Sequence, residues 1–124
     1  MDLSWKYSTR YSPSAPVIRL ELEGVPIECL VDTGFSGGLL IPFSLFESLG
    51  LLTRLSPHSY NAVMPDSRKF PLYTSGGEVS LGEAKTSTEV HSSPALDRKL
   101  VGRALLCAFV ARLDGRKEEL SLSM

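Results

Sequence analysis

The tripeptide Asp32-Thr33-Gly34 is where residue types and setting could support chemistry. The run Ile27-Glu28-Cys29-Leu30-Val31 before it has little polar content and reads as a strand, so the carboxylate arrives at a strand end. A glycine-bearing turn, Ser36-Gly37-Gly38, follows. A carboxylate in that position has two uses. It can cap the turn, since Asp, Thr and Gly all suit turns. Alternatively, set against a second acid, it can accept a proton from water and make that water a nucleophile. The chain has no second Asp-Thr-Gly, so on the second reading the other acid comes from another copy across a two-fold axis.

Other reactive side chains form no comparable constellation. His58 and His91 lie in polar, loop-like stretches and are expected to be exposed, without a base or ligand role. Cys29 and Cys107 are far apart in apolar surroundings with no Cys-x-x-Cys spacing; they are expected as buried free thiols, with a disulfide between them left open. Ser36-Gly37-Gly38 and Ser75-Gly76-Gly77 lack the spacing and lysine of a phosphate-binding loop. The expectation is therefore no metal and no cofactor.

The 124 residues fit one domain, residues 1–124. Acidic and basic residues nearly balance, with a net charge of -1, and they are interspersed. That argues against nucleic acid as a ligand. No apolar run is long enough to cross a bilayer, and Met1-Asp2-Leu3-Ser4-Trp5-Lys6 has no secretory pattern, so a soluble, cytoplasmic protein without a membrane partner is expected.

The elements that must position the aspartate are mostly strands. Residues 1–16 show no sustained period and are expected to be an irregular or edge segment whose Trp5, Tyr7 and Tyr11 can still pack. Ile18, Leu20 and Leu22 alternate with Arg19, Glu21 and Glu23 as in a half-buried strand. Leu39-Leu40-Ile41 suits a short buried strand. Pro42 then opens a helix carrying Phe43, Phe46 and Leu49, which Gly50 ends. Between residues 55 and 90, turns are expected at Met64-Pro65-Asp66-Ser67, Ser75-Gly76-Gly77 and Leu81-Gly82-Glu83, and residues 91–99 read as a loop. Leu100-Val101-Gly102-Arg103-Ala104-Leu105-Leu106 opens a short strand and a helix, and Asp114-Gly115 joins a last hairpin. The fold class expected is mostly β, a small closed barrel or folded sheet with one or two short helices.

The segment from Ile27 through Asp32-Thr33-Gly34 to Leu39-Leu40-Ile41-Pro42 resembles the active-site segment of the retropepsin-like aspartic peptidases. Leu100-Val101-Gly102-Arg103-Ala104-Leu105-Leu106 is similar to the apolar-apolar-Gly segment and helix near the C-terminus of that family, and Asp-Thr-Gly-Phe-Ser-Gly looks most like its small bacterial and archaeal branch. The resemblance covers roughly residues 17–122. It implies a homodimeric endopeptidase in which one Asp32 from each copy forms a dyad that shares a proton and activates water. It also implies that Thr33 ties the two loops together and Gly34 lets the backbone come close. Gly102 and Arg103 would support the site from the second segment. Residues 60–73, with Met64, Pro65, Asp66 and Ser67 at the tip, would form a flap over an extended peptide or protein substrate near Phe35 and Ser36. Both chain ends would interleave with those of the partner. The sequence departs from the pattern at Phe35, where a small Ala or Ser is common, and at Ser36 and Gly37, where retroviral members often carry an acid that pairs with the arginine. A catalytically inactive peptide-binding or dimerisation module of the same fold is the alternative.

Overall fold

The computed structural model describes residues 2–58 and 60–124. Its strands are β1 (Asp2–Lys6), β2 (Val17–Leu22), β3 (Val25–Val31), β4 (Leu39–Leu40), β5 (Tyr60–Val63), β6 (Lys69–Leu81), β7 (Ala84–Ser92), β8 (Leu100–Val101), β9 (Val110–Asp114) and β10 (Glu119–Ser123). Two short helices, α1 (Phe43–Ser48) and α2 (Arg103–Leu106), follow β4 and β8, and a 3-10 turn at Leu51–Arg54 follows α1. The mostly β class expected from the sequence is what forms.

The larger sheet runs β2-β3-β8-β4-β7-β6-β5, and β2 also pairs with β6, so six of its strands close into a ring. Closure rests on the register Glu21 to Ser80 and Leu22 to Val79, extended through one glutamate. The Glu23 N–H donates to the Glu78 carbonyl at 2.9 Å. The Glu78 N–H donates to the Glu23 carboxylate at 2.8 Å. That backbone donor, followed by Arg54, holds the Glu23 carboxyl below its ordinary range. On β2 the alternation is realised directly: Leu20 and Leu22 are buried, whereas Arg19 and Glu21 are exposed. Arg19 reaches across the β2–β3 register to Glu28 at 3.0 Å.

Within residues 1–16, Asp2 to Lys6 form an edge strand, one of the two forms expected for this segment. Met1 lies outside the described residues, but Asp2 to Lys6 pair in register with Ser123 to Glu119. Ser8 and Ala15 form a further bridge. The order β1-β10-β9 makes a second sheet from both ends of one chain, so within the protomer the ends pair with each other. Leu3 and Trp5 do alternate with Asp2, Ser4 and Lys6 as in a strand, but the run is only five residues long and its apolar side is only partly buried against the core. Ser75-Gly76-Gly77 is not a turn but lies inside β6. A Cβ on Gly77 would meet Val90 and Leu22 side chains at 2.7 and 2.9 Å, so the glycine is there for close packing.

The core joins the two sheets. Ile18, Leu22, Val79 and Val90 from the ring and Phe46 of α1 lie in one cluster with Leu120 and Leu122 of β10. Leu122 is only 1% exposed. Leu122→Ala is expected to lower the unfolding free energy by about 2 to 5 kcal/mol, the cost of a buried leucine truncation. Urea unfolding monitored through Trp5 checks this, and unchanged stability would mean that the terminal sheet is not part of the cooperative core.

Candidate active site

The end of β3 is fixed by a parallel pairing with β8, Leu30 to Leu100 and Val31 to Val101. The Asp32 N–H extends this ladder by donating to the Val101 carbonyl at 3.0 Å. Val31 and Val101 belong to the core side. By strand alternation Leu30 and Asp32 therefore point to the opposite face. Asp32 is half-buried, whereas Thr33 and Gly34 are exposed. The Asp32 carboxylate accepts the Gly34 N–H at 2.9 Å, and its carbonyl accepts the Phe35 N–H at 3.1 Å. The carboxylate is thus oriented by its own turn.

The second segment acts on this loop through its backbone. The N–H groups of Gly102, Arg103 and Ala104 donate to the carbonyls of Gly38, Phe35 and Gly37 at 2.9, 2.9 and 3.2 Å. These are donors at the start of α2 that the helix itself cannot satisfy. Such proximity leaves no room for a side chain. A Cβ on Gly102 would sit 2.3 Å from the Gly37 carbonyl oxygen and 2.5 Å from that of Phe35. The Arg103 side chain, by contrast, is exposed and has no hydrogen-bond or ion-pair partner among the described residues. It engages neither a backbone carbonyl nor an acid.

Phe35 turns inward. Its ring meets His91 edge-on at 5.9 Å. Here the structure corrects the sequence reading: His91 is not in an exposed loop but on β7, 3% exposed. Its Nδ1 is hydrogen-bonded with the Thr74 hydroxyl at 2.7 Å, and the Tyr60 ring packs on it at 5.2 Å. The inward face of β7 is covered by the core at Val90, and the other face by Phe35 and Tyr60 at His91, so both residues are buried. Those neighbours come from distant segments, which is why local polarity misled. The only local hint was Val90 immediately before His91 in a Thr-rich run suited to a strand. Burial lowers the His91 pKa, with the Glu89 charge opposing.

The predicted flap residues form a hairpin of β5 and the first part of β6. At its tip the Met64 N–H donates to the Arg68 carbonyl at 2.8 Å and the Ser67 N–H to the Met64 carbonyl at 2.9 Å. Met64 is half-buried, whereas Pro65, Asp66 and Ser67 are exposed. Arg68 pairs with Asp66 and lies over the Phe70 ring at 5.6 Å. The tip is therefore stiffened by side chains rather than loosened by glycine.

The cysteines divide. Cys29 is buried, and burial pushes its thiol up to about 12. Cys107, expected to be buried, is exposed at the C-cap of α2, with its Sγ donating to the Ala104 carbonyl at 3.3 Å. His58 is exposed, as expected. Among the described residues no group of three or more His, Cys, Asp or Glu side chains could hold a metal ion. No helix among them is long and apolar enough to cross a membrane.

The fold defined by this ring, strand-end aspartate loop and supporting helix is that of the retropepsin-like aspartic proteases. A retropepsin-like aspartic protease from Rickettsia conorii superposes with a TM-score of 0.72 at 22% identity, covering 98% of this chain and 89% of that one. EIAV protease in complex with an inhibitor superposes with a TM-score of 0.59 at 12% identity, covering 77% of this chain and 88% of that one. At these identities the likeness establishes the fold. No protein-family profile and no curated protein sequence matches the chain.

Two outcomes follow for the site. Gly102→Ala is expected to destabilise the protein by about 1 to 3 kcal/mol, because its methyl group must displace backbone carbonyls; thermal unfolding checks it, and an unchanged Tm would contradict the clamp. His91 contributes a pH dependence whose sign is fixed by its lowered pKa. Above about 6.5 both folded and unfolded forms are neutral, so it has no effect. Below that, the unfolded chain takes up the proton first and stability falls until the folded value is reached. His91→Gln should therefore show a smaller loss of stability than the parent protein between about pH 7 and pH 5 in urea unfolding.

Proposed function

We propose that the chain is an aspartic endopeptidase that works as a homodimer, with Asp32 of each copy forming the catalytic pair. The observation that supports this best is the Asp32 carboxylate itself. It lies at a strand end on the face away from the core, oriented by the Gly34 N–H on a loop anchored to β8 and α2.

In this reading two carboxylates close together hold one proton between them, because both cannot be ionised cheaply. The ionised member accepts a proton from water as its oxygen attacks the scissile carbonyl carbon. The protonated member gives its proton to the carbonyl oxygen. Collapse of the tetrahedral species then breaks the C–N bond, and the amine nitrogen leaves with a proton returned by the pair. Thr33, exposed beside Asp32, is the residue assigned to bind the partner's loop. The hairpin tipped by Met64, Pro65, Asp66 and Ser67 would pair with the extended substrate backbone and exclude water. Phe35 removes the hydroxyl that a serine would direct at the outer carboxylate oxygen, so the Gly34 N–H is the neutral donor left to that group.

Pepstatin-sensitive cleavage of a mixed peptide library is expected from the wild type. Asp32→Asn should lower it by at least about a hundredfold, with the dimer retained in sedimentation. Equal cleavage by the variant would show that Asp32 is not the catalyst. A dimer that binds peptides but cleaves none would identify the inactive binding module instead.

A further inference from the structure

A cavity of about 480 Å³ lies on the same face of β3 as Asp32. Its apolar wall includes Leu30, two residues before Asp32, together with Leu100, the register partner of Leu30, and Val17. This is within the size range of small-ligand sites and is open to solvent at its rim. The rim is unusual in its charges. Arg10, Arg98 and Lys99 converge there with Asp97 and Glu28.

The two signs are not equivalent. Glu28 is occupied by Arg19 at 3.0 Å. Arg10, Arg98 and Lys99 have no ion pair among the described residues. Three available cations therefore face one available acid, Asp97, and the 43% exposed Tyr11 adds a hydroxyl donor at the same rim. An apolar wall beneath a surplus of donors suits a side chain with a methylene stem and a carboxylate end. A basic side chain would meet the opposite balance.

We propose that this cavity is a specificity site for an acidic residue, so that the peptides taken carry a glutamate or aspartate beside the bond at Asp32. The proposal rests on the peptidase reading for its catalytic meaning, but the recognition can be measured without turnover. Peptides identical except for Glu or Gln at each position flanking the library cleavage site, or flanking the centre if none is cut, are titrated into the Asp32→Asn protein and followed by amide NMR. The Glu peptide is expected to bind about fivefold more tightly, to shift the Leu30 and Leu100 amides, and to lose its advantage near 1 M salt. Combined Arg98→Gln and Lys99→Gln substitution should abolish the preference while leaving Gln-peptide binding in place. Equal affinities for Glu and Gln peptides at every position, no binding of either, or shifts elsewhere would overturn the proposal. Wild-type cleavage of both members of a pair at equal rates would also overturn it, yet leave the peptidase reading standing; Asp32→Asn cleaving as well as the wild type would overturn that reading alone.

Discussion

The site depends on one constraint: the loop carrying Asp32 is held by backbone hydrogen bonds from a segment about 70 residues later in the chain. Val101 accepts the Asp32 N–H, and three successive N–H groups from Gly102 onward donate to loop carbonyls. None of these bonds needs a particular side chain except that Gly102 must have none. Loops that present reactive groups are usually mobile, and here the fold spends helix-terminal donors on making this one rigid.

That arrangement explains which departures from the family pattern the fold accommodates. Arg103 makes no ion pair among the described residues and Ser36 offers no carboxylate, yet the contact between the two segments survives because the main chain carries it. Phe35, in place of a small residue, is accommodated by glycines: a Cβ on Gly37 or Gly102 would come within 2.6 Å of its ring. The bulk added at one position matches the bulk absent at two others. His91, Tyr60 and Thr74 complete this packing, so the Asp32 loop and both strands of the hairpin meet around one buried imidazole.

Much of this was legible in the sequence where the signal is local. The strand leading to Asp32, the helix opened by Pro42, the hairpin tip at Met64-Pro65-Asp66-Ser67 and the strand-to-helix step at Val101-Gly102-Arg103 all follow from period and turn chemistry. What misled was decided by distant neighbours. His91 looks polar until Phe35 and Tyr60 cover it, Gly76-Gly77 looks like a turn until Val90 and Leu22 need the space, and the alternation of β1 is too short to stand out until β10 pairs with it. The cavity beside Leu30 could not be read from the sequence at all, since its charged rim draws on residues 10, 28 and 97–99.

The sheet formed by β1, β10 and β9 uses both ends of the same chain and shares its buried leucines with the main core. Because Asp2 to Lys6 pair with Ser123 to Glu119 while Leu120 and Leu122 are buried in the main core, detaching either end would uncover core leucines. The two termini therefore belong to the same cooperative unit as the ring and are held against the fraying usual at chain ends.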